Sequence, residues 1–324
     1  MRDTIITPSK FKKAPMPYFG GKHRVLSDVW ARLGSPLHYI EPFCGSAAML
    51  LGSPSIASLE VINDQNFYIA NFWRCIKFQP TATYEWQDYP VSHVDLDARH
   101  RWLCDPARTA EVRAKLADPD WPGDPKIAGW WVWGICAWIG DGWCEKDGLS
   151  DAGRGVQSQI PHLGDAGRGV QSKIPHLGDA GQGVQSKIPH LGNAGQGVHD
   201  WFQCLARRLE RVRVCHGDWS RCLNNKYGGK NTAVFLDPPY KGFESLYAKD
   251  SQKKLVAEEA EIWAKENENE MRIAICGHEG DYSLPGWEVF KWDRGTAYNN
   301  KSTDQEVIHF SPTCDLGGAQ QGLF

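Results

Sequence analysis

Ala233-Val234-Phe235-Leu236-Asp237-Pro238-Pro239-Tyr240 is the stretch that decides how this chain is read. An apolar run ending in a carboxylate, a proline pair and an aromatic ring predicts a buried strand that delivers polar groups to the mouth of a sheet. The prolines fix φ and remove backbone donors, so nearby carbonyls stay free to accept hydrogen bonds. A carboxylate, a free carbonyl and a flat π-face in so short a span suit a planar heterocycle bearing an amino group. The plainer alternative is a strand followed by a Pro-Pro turn with a surface tyrosine.

A second segment points the same way. His38-Tyr39-Ile40 predicts a short strand, followed by Glu41-Pro42-Phe43-Cys44-Gly45-Ser46 and a helix start at Ala47-Ala48-Met49-Leu50-Leu51. A small-residue turn between strand and helix lets a ligand approach the backbone. The spacing is neither a dinucleotide GxGxxG fingerprint nor a P-loop. Ser58-Leu59-Glu60-Val61-Ile62 predicts another strand, ending in Asn63-Asp64-Gln65-Asn66, where Asp64 is placed to hold a ribose hydroxyl pair.

Taken in order, Pro17-Tyr18-Phe19-Gly20-Gly21-Lys22, Glu41-Pro42-Phe43-Cys44-Gly45-Ser46, Asn63-Asp64-Gln65-Asn66 and Asp237-Pro238-Pro239-Tyr240 resemble the Dam-like class of DNA adenine-N6 methyltransferases. The resemblance covers roughly residues 15–80 and 210–310 and departs from the best-known members across residues 85–205. It implies S-adenosyl-L-methionine as cofactor, double-stranded DNA as partner and a Rossmann-like, seven-stranded-type sheet. It further implies that Tyr18, Gly20 and Lys22 lie at the methionine end, with Phe43, Gly45 and Ser46 in the turn below. Asp218 and Trp219, after the strand Val212-Arg213-Val214-Cys215-His216, would by the same resemblance accept from and wall off the cofactor adenine. An Asp-initiated turn with a buried tryptophan is the structural alternative there.

The chemistry follows from the target atom. The 6-amino nitrogen of adenine is a poor nucleophile, and in a duplex it is paired and out of reach, so the base must be flipped out. Tyr240 is expected to stack on the extruded base, while Asp237 and the Pro238 carbonyl accept the amino hydrogens beside Pro239. Methyl transfer would be direct and in line, with positioning as the main source of acceleration and no metal required. Three rivals stand beside this reading: a cytosine 4-amino methyltransferase, a non-catalytic DNA-binding protein that keeps the fold, and a modifier of RNA or free nucleotides.

Composition is compatible with a soluble protein. The 324 residues, 41% hydrophobic and 23% charged, suffice for one large core or a core plus a smaller domain. No apolar run reaches membrane-spanning length, and the N-terminus lacks a signal-peptide pattern, so a cytoplasmic location in a bacterial or phage-infected cell is expected. The ten cysteines show no CxxC pair or zinc-like spacing and are read as reduced, mostly buried thiols, Cys44 included. Thirty-six Lys and Arg against 39 Asp and Glu give a net charge of −3, low for a protein held to phosphates by charge alone. Basic residues do cluster at Lys10, Lys12, Lys13, Lys22 and Arg24, and at Arg207, Arg208, Arg211 and Arg213.

Further strands are predicted at Arg272-Ile273-Ala274-Ile275-Cys276 and Glu306-Val307-Ile308-His309-Phe310, with a Glu- and Lys-rich helix over 251–270. Strands and helices in alternation, with polar blocks at strand ends, predict a doubly wound, mostly parallel α/β sheet. The expected organisation is a catalytic core of residues 1–84 and 206–324 around an inserted target-recognition region, 85–205. In that insert a short helix is predicted over Thr109–Ala117, capped near Arg108-Thr109. The tryptophan-dense run Gly129–Trp143 is either internal core or a stacking surface. Asp151–Gly164 recurs from Asp165 and Asp179, with a partial copy from Asn193, so repeats of about 14 residues fill 151–198. They are read as extended pieces and turns, either following a phosphate backbone through Arg154, Arg168, Lys173 and Lys187 or forming a duplicated surface insertion. A helix with arginines on its polar side is predicted from His199 to Leu209.

Overall fold

Strands and helices alternate along the chain in the computed structural model, which describes residues 15–16, 22–87, 92–138, 143–144, 194–223, 229–240, 256–292 and 306–314. The strands are β1 His38–Glu41, β2 Leu59–Asp64, β3 Val212–His216, β4 Thr232–Leu236, β5 Arg272–His278, β6 Glu288–Trp292 and β7 Glu306–Phe310. They form a seven-stranded sheet of order β3-β2-β1-β4-β5-β7-β6. β1 pairs in parallel with β2 and β4, β4 in parallel with β5, and β7 runs antiparallel to both β5 and β6. This is the doubly wound, Rossmann-like sheet of mostly parallel strands that the alternation of elements predicts. The continuous apolar run of β4 has its reason here: every residue from Thr232 to Leu236 is buried, as a strand in mid-sheet requires.

β6 is the strand that the sequence reading did not anticipate. Glu288-Val289-Phe290-Lys291-Trp292 sits at the sheet edge, and its burial alternates between half-buried and exposed. An edge strand carries only one neighbour's pairing and a weak apolar signal, so it stands out little from a loop.

The described residues divide into two compact units, Lys22–Asn63 with those from Asp218 onward, and residues 15–16 with Asp64–Gly217. In the first, the helices are α1 Leu26–Leu33, α2 Ala48–Leu51 and α9 Val256–Asn267. Buried Val29, Trp30 and Leu33 face inward from α1, and Arg272 of β5 donates to the Leu33 carbonyl at 2.8 Å, closing the helix end. The Glu- and Lys-rich helix appears as α9; residues 251–255 of the expected range lie outside the described residues.

The second unit carries α3 Phe67–Phe78, α4 Pro80–Gln87, α5 His93–Leu103, α6 Pro106–Lys115, α7 Pro125–Ala137 and α8 Ala194–Leu209. α3 is buried from Phe67 through Ile76, so it is the unit's central helix. Its buried Arg74 donates to the carbonyls of Leu116, Asp118 and Pro119 at 3.1, 2.9 and 3.0 Å, satisfying the chain where α6 ends. α6 starts earlier than expected. Asp105 caps it by accepting from Arg108 N at 2.9 Å, and Pro106 occupies the first helical turn, a start signal the reading near Arg108-Thr109 overlooked. Asp124 and Pro125 repeat the same device at α7.

The tryptophan-dense run resolves towards core. Trp131, Trp133, Trp138 and Trp143 are all buried, and Trp143 Nε1 donates to the Trp131 carbonyl at 3.0 Å. Gly134 makes this possible, since a Cβ there would lie 1.7 Å from the Trp143 ring. The three full repeat copies lie outside the described residues. The final partial copy differs from its expected extended form, because residues from Ala194 begin α8. Arg208 departs from the expected polar side of that helix, being 5% exposed. All ten cysteines are free thiols, Cys144, Cys204 and Cys215 being half-buried and the rest buried.

Candidate active site

Asp237 follows the last residue of β4, so the buried strand carries its carboxylate to the C-terminal end of the sheet's parallel strands. Lys22, just before α1, sends Nζ to both carboxylate oxygens, at 2.9 and 2.8 Å. The lysine is 3% exposed and the aspartate side chain 21%, so the pair is largely shielded from water. Tyr240 donates its hydroxyl to Asp237 Oδ1 at 3.2 Å. Both oxygens are therefore engaged, and an incoming amino group must compete with or share these donors. Pro238 is buried and Pro239 half-buried behind the carboxylate.

The Tyr240 ring meets His278 edge to face at 4.7 Å, and Lys22 Nζ lies 5.4 Å from its centroid. His278 was not singled out from the sequence. Only the strand order brings it here: β5 runs parallel beside β4 with Leu236 opposite Ile275, which places Cys276, Gly277 and His278 alongside the residues that follow β4. Cys276 is fully buried; burial first, and then the Asp237 charge, push its thiol well up, so it stays protonated. Asp281 accepts from His278 N at 2.7 Å, and the Tyr282 hydroxyl donates to the Cys276 carbonyl at 3.1 Å. Gly277 leaves room for that tyrosine, since a Cβ would stand 2.5 Å from its ring.

The turn after β1 is tightly organised. Glu41 Oε2 accepts from the Tyr39 hydroxyl and from Leu50 N, each at 3.1 Å, tying the strand end to the first turn of α2. Asn63 donates to the Pro42 carbonyl at 3.0 Å, and Cys44 N to the Asn63 carbonyl at 2.9 Å. Gly45 and Ala47 both have positive φ, +46° and +51°. The left-handed region is natural for glycine and strained for alanine, so the bend is imposed by its surroundings. Ser46 is buried within it.

Phe43 from this turn stacks on Trp219, with ring centroids 5.7 Å apart and planes inclined by 26°. Trp219 opens a short 3-10 turn, Trp219–Cys222, which Asp218 caps by accepting from Ser220 N at 2.9 Å. Asp218 itself is exposed and Trp219 buried. Asp64, the last residue of β2, is half-buried and accepts from Asn66 N at 2.8 Å, while Asn66 caps α3. The structure thus brings Lys22, Asp237 and Tyr240 together, and Phe43 with Trp219. Tyr18 and Gly20 lie outside the described residues, and Asp64 belongs to the second unit.

Residues 18–90 match the family model of the D12 class N6 adenine-specific DNA methyltransferases. That span holds Lys22, Phe43, Gly45, Ser46 and Asp64, and stops short of Asp218, Trp219 and the Asp237–Tyr240 block. No curated protein matches the chain. Over that span the chain is similar to the D12 class N6 adenine-specific DNA methyltransferases, a family of enzymes, and the seven-stranded, mostly parallel sheet is consistent with a methyltransferase core of that kind.

Proposed function

We propose that the protein transfers a methyl group from S-adenosyl-L-methionine to the 6-amino nitrogen of adenine in double-stranded DNA, after flipping the base out of the helix. The observation that carries this reading is the Asp237 carboxylate at the mouth of β4, with Lys22 and the Tyr240 hydroxyl on it. The amino hydrogens of an extruded adenine need acceptors, which Asp237 and the Pro238 carbonyl supply. As the amine attacks, positive charge develops on its nitrogen, and a carboxylate already held in place stabilises that charge without reorganising. The Tyr240 ring offers a π-face to the base and offsets part of the few kcal/mol lost in unstacking and unpairing it.

The donor set fits the cofactor. The Phe43–Trp219 aromatic pair, the exposed Asp218 carboxylate and the sharply bent turn through Gly45 and Ser46 suit a purine nucleoside bearing an amino group. Lys22, Phe43, Gly45, Ser46, Asp218 and Trp219 would hold it, and the sequence and its family resemblance alone assign the ribose to Asp64 and the methionine end to Tyr18 and Gly20. When bound, the cofactor supplies an electrophilic methyl carbon. Lys22 is assigned a second part: its two contacts hold the Asp237 carboxylate aimed until the base arrives. The target sequence is assigned to the inserted region, residues 85–205. Among the described residues no helix is long and apolar enough to cross a membrane.

The test is methylation of unmodified duplex DNA by wild type and Asp237→Ala, read by mass spectrometry of the released nucleosides. N6-methyladenine from the wild type and its loss in the variant are expected. N4-methylcytosine, or an undiminished Asp237→Ala, would replace this reading.

A further inference from the structure

His100 lies in the last turn of α5, and Cys104 is that helix's C-cap. Four positions apart on a helix, they share one face. Cys144 reaches the same face from beyond α7, carried there by Trp143, whose ring is seated against Gly134. The ligand atoms of the three side chains all lie within 4.8 Å of one another, and His100 Nε2 is 3.7 Å from Cys104 Sγ. Tetrahedral zinc, with bonds of about 2.3 Å to sulfur and about 2.0–2.1 Å to nitrogen, sets its ligand atoms roughly 3.5–4 Å apart.

The histidine's surroundings argue for an occupant. His100 is 4% exposed, with Trp138 stacked on it at 5.1 Å and Trp143 tilted against it at the same distance. Its Nδ1 has no hydrogen-bond partner among the described residues. Nε2 meets the Cys144 backbone N–H, at a long 3.4 Å, and the Cys104 sulfur. Burying an imidazole with partners this weak is costly, and a metal bond would give Nε2 a strong partner in place of two weak ones. Cys144 adopts φ +57°, a left-handed conformation that a non-glycine residue keeps only where tertiary contacts demand it.

We propose that His100, Cys104 and Cys144 bind one zinc ion, with the fourth position taken by water at the half-buried Cys144 side. Two soft sulfurs and one imidazole select zinc over magnesium or calcium. The ion would pin the end of α5 to the chain just past α7, a few residues before the 14-residue repeats begin. It takes no part in methyl transfer, and the proposal stands apart from the methyltransferase reading.

The full-length protein, purified under reducing conditions and dialysed against metal-free buffer, should retain one zinc per chain by elemental analysis. Cobalt in place of zinc should give a thiolate-to-metal charge-transfer band and the intense visible spectrum of a tetrahedral site. Cys104→Ser and Cys144→Ser should each raise the zinc Kd by more than about 100-fold, the upper end of what even an outer-shell loss costs. Cys222→Ser, a thiol away from the cluster, should retain the metal. Circular dichroism checks folding, and if the serine variants unfold, the wild-type cobalt spectrum alone decides. No zinc and no cobalt signature, a Cys104–Cys144 disulfide found by mass mapping, or zinc persisting in both serine variants overturns the proposal.

Discussion

Lys22 Nζ sits 2.9 and 2.8 Å from the two oxygens of Asp237, although the residues stand 215 positions apart in the chain. A shielded ion pair of this kind is costly to break from one side, because the remaining charge loses its partner without regaining water. Asp237→Ala should therefore destabilise the protein by about 3 kcal/mol and reduce methyl transfer at least about 100-fold. The double variant Lys22→Met/Asp237→Leu should regain most of the stability and none of the activity. Urea unfolding and methylation rates on the three proteins check this. A double variant that regains activity would refute the catalytic role of Asp237.

Tyr240 makes two separable contributions, a hydroxyl on Asp237 and a ring face. Tyr240→Phe keeps the ring and should lose less than about tenfold in kcat/KM, the value of one hydrogen bond. Tyr240→Ala loses base stacking, worth roughly 1–3 kcal/mol, and should fall by about 10- to 100-fold. The Tyr240→Ala deficit should shrink on DNA whose target adenine is mispaired, because such a base is easier to extrude. Equal deficits on paired and mispaired targets would count against stacking on the flipped base.

Asp64 has a structural use as well as an expected ligand role, since its side chain accepts from Asn66 N at 2.8 Å. Asp64→Asn keeps that turn and Asp64→Ala removes it. If the carboxylate holds the ribose, calorimetry should show S-adenosyl-L-methionine affinity falling about tenfold or more in both, one charged hydrogen bond's worth. Weakening in the alanine variant alone would assign Asp64 to the turn.

Gly134→Ala tests the tryptophan core of the second unit. Its new methyl would meet the Trp143 ring at 1.7 Å, so the ring must leave its seat. A loss of about 1–3 kcal/mol in unfolding free energy is expected, the usual range for overpacking. An unchanged urea midpoint would show that Trp143 is not packed there.

His309 in β7 is 7% exposed, and neither ring nitrogen has a hydrogen-bond partner among the described residues. Burial lowers its pKa below the ordinary histidine value. In the window between the lowered folded value and the unfolded value near 6.5, the unfolded chain takes up a proton that the folded chain refuses. The histidine's contribution is therefore intact above that window and is lost as pH falls through it. His309→Phe should flatten the decline of the urea midpoint between pH 7.5 and pH 5, and an equally steep decline would locate the titration elsewhere.

Six of the seven strands, four of the nine helices among the described residues (α2, α6, α8 and α9) and the four polar blocks were legible in the chain itself, because each is a local pattern. An apolar run such as Ala233–Leu236 states its own burial, and Asp237-Pro238-Pro239-Tyr240 states its own inability to continue a strand. β6 was missed because an edge strand is only half buried. The start of α6 was missed although Asp105-Pro106 announces it, and the last repeat copy took the helical form of its neighbours downstream rather than the extended form expected of it.

What the chain determined unaided was therefore most of the strands, their alternation with helices and the polar residues that follow the strand ends. What tertiary structure alone decided was partnership: Lys22 with Asp237, Phe43 with Trp219, and His278 with Tyr240. His100 with Cys104 and Cys144 belongs to the same class. Periodicity and turn chemistry act over a few residues, whereas these pairings depend on strand order and on which side chains the packed core leaves room for.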